Sequence, residues 1–169
     1  MRAGAKLKGA DRERFAQINE RLAALMTAFG QNVLADESAY RLTLATEADM
    51  AGLPAFVRDA ARQAAADRGL PGEVITLSRS LIVPFLTFSQ RRDLREAAWR
   101  AWTTRGEHDG PTDNRGVIRE ILELRAEQSA LLGYPSFADY ALANTMARTR
   151  GAVMRLLDDV WSRALPALE

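Results

Sequence analysis

No cysteine occurs in the 169 residues. Disulfides, thiol nucleophiles and cysteine-ligated metals are therefore excluded, and the absence fits a reducing compartment. Histidine is nearly missing too. The single His108 leaves no motif that needs two histidines. Neither sign of charge dominates: 23 Lys+Arg stand against 22 Asp+Glu, for a formal net charge of +1. That balance argues against a nucleic-acid surface or an anionic membrane as partner. The uncharged run Ser80–Gln90 is 11 residues and contains Pro84, well short of the roughly 20 apolar residues that span a bilayer. The N-terminal MRAGAKLKGADRER is basic but has no apolar stretch behind it, so it does not read as a signal peptide. The expectation is a soluble, cytoplasmic chain with no nucleic-acid and no membrane partner.

What is present is ordinary globular material, 47% hydrophobic and 27% charged. This length predicts one domain that buries roughly 70% of its unfolded surface. Asp11 is placed to cap a first helix, in which Phe15, Ile18, Leu22, Leu25, Phe29 and Val33 form one face. Gly30 marks a close contact or bend in it, and the pattern fades after Asp36. Arg41–Ala45 alternates with period two and reads as a short strand or an extended connector. Thr46 to Asp49 has the form of a capping box opening a short helix. Pro54 suits the first turn of the next helix, Phe56–Arg68 is alanine-rich, and Gly69 fits its C-terminal cap. Gly72–Ser78 is the best strand candidate. Ser80–Phe88 reads as its pairing strand, limited to an edge or turn by Pro84.

From Ser89 to about Thr104 the spacing predicts a helix with Leu94, Ala98, Ala101 and Trp102 on one side. Arg105–Pro111 is a loop by composition. Asp113 or Asn114 caps the next helix. Its apolar face carries Val117, Ile118, Ile121, Leu122 or Leu124, Leu131 and Leu132, and Gly133 stops it. Ser136 to Asp139 is a second capping box. Thr149 caps a last helix striped with Val153, Leu156, Leu157, Val160, Trp161, Ala164, Leu165 and Leu168, with Pro166 in its last turn. The fold class expected is mainly α, a helical bundle or array with one short β-hairpin or strand pair near 73–88. No linker or fixed-period repeat divides the chain.

Five groups of residues invite a chemical reading, and each is weighed against an ordinary one. His108 lies near Glu107, Asp109 and Asp113, which suggests a metal site, but a solvated histidine in a polar loop is favoured. Glu120, Glu123 and Glu127 share a helix. A di-metal bundle site would need Glu-x-x-His motifs on two helices, and none exists, so a solvated face with an Arg119–Glu123 pair is favoured. Arg91, Arg92, Arg95 and Arg100 form a basic face suited to phosphate or a peptide carboxylate, but interleaved Asp93 and Glu96 favour a surface network. Trp99, Trp102 and Trp161 suit a peptide channel, yet helical spacing places Trp102 and Trp161 in the core first. Ser80 and Ser136 have no histidine partner in sequence for nucleophilic catalysis.

Leu124-Arg125, Leu131-Leu132-Gly133-Tyr134, Phe137-Ala138-Asp139-Tyr140, Met146-Ala147 and Val153 follow one another as helix, stop and restart. This order resembles the helical region of the M3 family of zinc metallopeptidases. Upstream, Gln31-Asn32-Val33-Leu34, Ala51-Gly52-Leu53-Pro54, Pro84-Phe85-Leu86, Arg91 to Arg95, Thr104-Arg105-Gly106 and Asp113-Asn114 come in family order. The match runs from about Lys6 to Glu169. Leu77 to Ile82 looks most like the peptidyl-dipeptidase branch, though Val83 stands where a carboxylate often follows; the oligopeptidase A branch is the alternative.

The resemblance implies a nearly all-helical zinc peptidase with a deep channel, acting on short peptides, with release of C-terminal dipeptides in the peptidyl-dipeptidase branch. Its zinc needs the two histidines and the glutamate of His-Glu-x-x-His and a further glutamate. One histidine cannot supply that motif, so no catalytic, cofactor-binding or metal residue is assigned. The expectation is a single partial domain, residues 1–169, forming helical scaffold and channel wall N-terminal to the catalytic half. On this reading zinc belongs to the full enzyme, this chain is inactive alone, and its apolar last helix is left running toward the missing half. The alternative is a stand-alone, non-catalytic helical module that binds a peptide or a protein.

Overall fold

The computed structural model describes residues 4–168, without the side chain of Leu168. The apolar residues of the first helix recur every three or four positions, and the chain follows them into α1 (Gly9–Ala39). It begins two residues before Asp11, which sits in the first turn, where its charge meets the positive end of the helix. Next come β1 (Leu42–Leu44), a 3-10 turn (Glu47–Met50), α2 (Ala55–Ala66) and β2 (Glu73–Ile75). They are followed by α3 (Arg79–Phe88), α4 (Arg92–Thr103), α5 (Arg115–Leu131), α6 (Phe137–Leu142), α7 (Arg150–Ala164) and a final 3-10 turn (Leu165–Leu168). The protein is mainly α, as the periodicity predicts. Its described residues form two compact units: Thr27–Val117, and the residues up to Met26 together with those from Ile118.

In the Thr27–Val117 unit, β1 and β2 pair antiparallel with Leu42 opposite Ile75 and Leu44 opposite Glu73. The strand expected over Gly72–Ser78 is therefore present, but its partner is the 42–44 segment. Ser80–Phe88 is not a strand. It lies within α3, with Pro84 inside the helix. The reason lies in the apolar spacing. Leu81, Ile82 and Phe85 are buried while Val83 is 40% exposed, which is a helical face and not an alternating one. Pro84 removes only one hydrogen bond, to the carbonyl of Ser80, and Ser80 is exposed to solvent.

The core of this unit gathers Leu44, Val57, Ala61, Ile75, Leu77, Leu81, Ile82, Phe85 and Ala98, with Trp102 packed against it. At full burial each large side chain contributes about 1.5–3 kcal/mol. Asp49 completes the box at the 3-10 turn, accepting from the N–H groups of Ala45 and Thr46 at 3.0 and 2.9 Å. Gly52 cannot be replaced by a residue with a Cβ. Its φ is +83°, and an added Cβ would lie 2.5 Å from the Phe88 carbonyl oxygen. Gly30 differs, because a Cβ there would meet nothing within 4 Å, so the close contact expected at Gly30 is not there.

In the other unit, the early part of α1 runs antiparallel to α5. Arg14 makes a two-pronged pair with Glu127 at 2.6 and 2.7 Å, and Arg21 with Glu120 at 2.5 and 2.8 Å. Seven residues forward on α1 match seven backward on α5, so the pairs repeat after two turns. Between them Ile18, Leu25, Ile121 and Gln128 are buried, and Gln128 donates to Asn19 Oδ1 at 2.7 Å. Leu124 is half-buried and Leu122 exposed, which settles which leucine carries the α5 face. Gly133, at φ +78°, ends this run. Ser136 caps α6 by accepting from the Asp139 N–H, and Thr149 caps α7 by accepting from the Ala152 N–H, both at 3.2 Å.

Candidate functional site

His108 stands at the end of a pinned loop, not in a ring of carboxylates. Its partner is Asp36, on the last turns of α1. Asp36 Oδ2 accepts from the Gly106 N–H at 2.7 Å, and His108 Nε2 lies 2.8 Å from the same oxygen. Asp36 Oδ1 accepts from the Thr112 hydroxyl at 2.6 Å. Burial pushes the Asp36 carboxyl up, but the Thr112 hydroxyl, the Gly106 N–H and His108 together outweigh it and hold it below its ordinary value. At neutral pH it is a carboxylate that only accepts, so the His108 proton sits on Nε2.

The neighbouring groups are also engaged. Glu37 pairs with Arg105. Arg115 holds Asp113 down to about 2 and pairs with Asp109. Asn114 is buried and accepts from Asn32 at 2.9 Å while donating to the Phe29 carbonyl at 3.2 Å. The predicted cap of α5 is thus shared differently: Asp113 takes the Arg115 N–H at 2.9 Å, and Asn114 ties the loop to α1. No local spacing signals Asp36, because its partners lie 70 to 76 positions away.

The carboxylates of α5 are likewise taken. Glu120 and Glu127 pair with Arg21 and Arg14, and each guanidinium holds its glutamate below the ordinary range. Arg119 and Glu123 form no ion pair among the described residues. Arg91 bridges Asp49 and Asp93 and holds Asp93 down to about 2. Arg100 pairs with Glu96. Trp102 packs on the core, but Trp99 is 52% exposed and Trp161 63% exposed. The expectation of a core Trp161 is corrected: its helix presents an open apolar face. Met154, Leu156, Leu157, Val160 and Leu165 are exposed beside it.

A zinc ion needs three or four converging donors. Among the described residues no three His, Asp or Glu side chains converge in that way. His108 and Asp36 bond to each other and leave no third donor, so this donor set does not fit the zinc that the resemblance implies. No helix is long and apolar enough to cross a membrane among the described residues.

The chain is 36% identical over 168 residues to oligopeptidase A of Haemophilus influenzae, covering 97% of this chain and 25% of that protein. It is 32% identical to dipeptidyl carboxypeptidase of Escherichia coli, covering 94% of this chain and 23% of that protein. It is 29% identical to a probable cytosolic oligopeptidase A of Arabidopsis thaliana, over 99% of this chain and 25% of that protein. The chain thus spans about a quarter of the length of the curated relatives it matches. The pattern of peptidase family M3 matches residues 85–169, just over half the chain, from the middle of α3 through α7. The helices, stops and restarts that carry the resemblance coincide with α5, α6 and α7, and on these grounds the chain belongs to peptidase family M3.

Proposed function

We propose that this chain is a helical scaffold and channel-wall segment of an M3 zinc peptidase that hydrolyses short peptides. Similarity along 97% of the chain to an oligopeptidase A four times its length is the observation that carries this reading. The histidine-poor donor set supports the second half of it, that the zinc centre is built from residues outside this sequence and that these 169 residues are inactive by themselves. Release of C-terminal dipeptides is the specific activity proposed, by kinship to the dipeptidyl carboxypeptidase. A cytoplasmic location agrees with the name of the Arabidopsis relative. The open face of α7 is the surface proposed to pack against the remaining part of the enzyme, since exposed apolar patches of this kind mark interaction sites.

An antibody raised to this segment gives the first test. A native band several times larger than 18.7 kDa is the expected result. A stable band at 18.7 kDa overturns it and favours a stand-alone module that binds a peptide or a protein. Chelator-sensitive peptide hydrolysis by the purified 169-residue chain with added zinc overturns the claim that it is inactive.

A further inference from the structure

The hollow beside α4 sets unneutralised cations next to a bare aromatic ring. Its volume is about 500 Å³, and Leu86, Arg92, Arg95, Glu96 and Trp99 line it. Sites for small molecules span about 300–1,000 Å³, so one such ligand fits. Positions 92, 95 and 99 fall at three- and four-residue steps and share a stripe of the helix.

Charge in this hollow is one-sided. Arg91 and Arg100, the other cations of this part of the chain, are each neutralised by a carboxylate. The lining Glu96 is the carboxylate that Arg100 holds, at 2.7 Å. Arg92 is exposed and has no ion pair or side-chain hydrogen bond among the described residues. Arg95 gives Nη1 to the Ser89 carbonyl, an uncharged acceptor. Two guanidiniums within one turn of each other therefore repel with no counter-charge between them, and like charges at such spacing weaken a helix. An anion that bridges them removes that cost.

The ring completes the site. Trp99 is 52% exposed, and its indole meets no aromatic ring or guanidinium among the described residues. The Trp102 indole, by contrast, packs on the core and carries the Arg105 guanidinium 5.5 Å from its centroid. From Arg95 to Trp99 the helix rises about 6 Å, close to the length of the ribose that separates phosphate from base in a nucleotide.

We propose that this hollow binds a nucleoside 5′-phosphate, its phosphate between Arg92 and Arg95 and its base stacked on Trp99. Guanidinium forks match phosphate oxygens two at a time, and any base offers a flat face to an indole. A phosphorylated sugar or lipid headgroup uses the arginines but leaves the ring idle. A nucleic-acid strand needs cations along its whole backbone, whereas here the unneutralised ones form a single pair, in a chain of net charge +1. The inference goes beyond the peptidase reading. Peptide hydrolysis needs no nucleotide, and the test reads binding and not turnover, so either reading can fail alone.

The three tryptophans supply the readout. The indole N–H signals of the full chain, assigned by single Trp→Phe variants, are followed by NMR during titration with AMP. The expected result is saturable movement of the Trp99 signal while Trp161 stays still. Adenosine, which lacks the charge, binds at least about tenfold more weakly. Ribose 5-phosphate, which lacks the base, binds at least about fivefold more weakly. Arg92→Gln, at an exposed position, weakens AMP at least about tenfold, and unshifted Trp102 and Trp161 signals in the free variant report that its fold is intact. No saturable movement of Trp99, equal movement of all three signals, or unchanged binding by a folded Arg92→Gln overturns the proposal. Ribose 5-phosphate or inorganic phosphate binding as tightly as AMP overturns it in favour of a bare anion site. Tighter binding of a short oligonucleotide overturns it in favour of nucleic acid.

Discussion

Asp36 shows how much one side chain controls. It gathers a backbone N–H, a hydroxyl and an imidazole from three points of the 106–112 loop. Asp36→Ala strands the Gly106 N–H and the Thr112 hydroxyl, and urea unfolding at pH 7 is expected to show a loss of about 2–3 kcal/mol. Asp36→Asn keeps an acceptor and loses less, on the order of 1 kcal/mol. The pH dependence has a definite sign. Asp36 is held below its ordinary 3.8, so its stabilisation is complete above about pH 4 and is lost as pH falls through the lower folded value. The gap between wild type and Asp36→Asn is expected to close between pH 4 and the acid limit; a gap constant down to pH 2 contradicts the assignment. Sequence spacing did not reveal this residue. It did place His108 in a polar loop and gave it the wrong acidic neighbours, because Glu107 and Asp109 are near only along the chain.

Elements were legible where their signals are local. The Ser136 and Thr149 caps act within three residues, and the structure shows both. Gly69, at φ +65°, follows the last turn of α2 as a helix stop requires. Over 80–88 two local signals conflict, Pro84 pointing away from a helix and the spacing of Leu81, Ile82 and Phe85 pointing to one. Burial of those three outweighs one missing hydrogen bond. The missing bond still leaves a mark: Pro84→Ala restores a donor opposite the Ser80 carbonyl and is expected to raise the unfolding free energy by about 1 kcal/mol or more, seen as a higher urea midpoint. A lowered midpoint would mean that the proline ring contributes more by packing than its absent N–H removes. The carboxylates of α5 teach the same lesson from the other side. The four-residue rule pointed from Glu123 to Arg119, whereas Glu120 and Glu127 found arginines 99 and 113 positions away.

On the scale of the whole molecule, the mainly α class and the family were both legible, because helical periodicity and the order of helix stops survive without any knowledge of contacts. The apolar stripe of α7, Trp161 included, is legible as a face left for a partner, yet the same spacing also places Trp161 in a core, since an apolar stripe looks the same in sequence whether covered or open. Leu157→Lys combined with Trp161→Lys removes two residues that are 55% and 63% exposed. Stability is expected to stay within about 0.5 kcal/mol, while concentration-dependent association in sedimentation velocity falls. A large drop in melting temperature instead would show that this face is already packed in solution. The passage of the chain between its two units has a practical consequence. It occurs inside helices, within α1 after Met26 and within α5 after Val117. Splitting the protein there leaves each new helix end with four backbone groups unsatisfied. Anyone who wishes to divide, circularly permute or insert a reporter into this chain should leave both boundaries intact and use the Gly69–Gly72 turn, where two left-handed glycines already interrupt the backbone ladder.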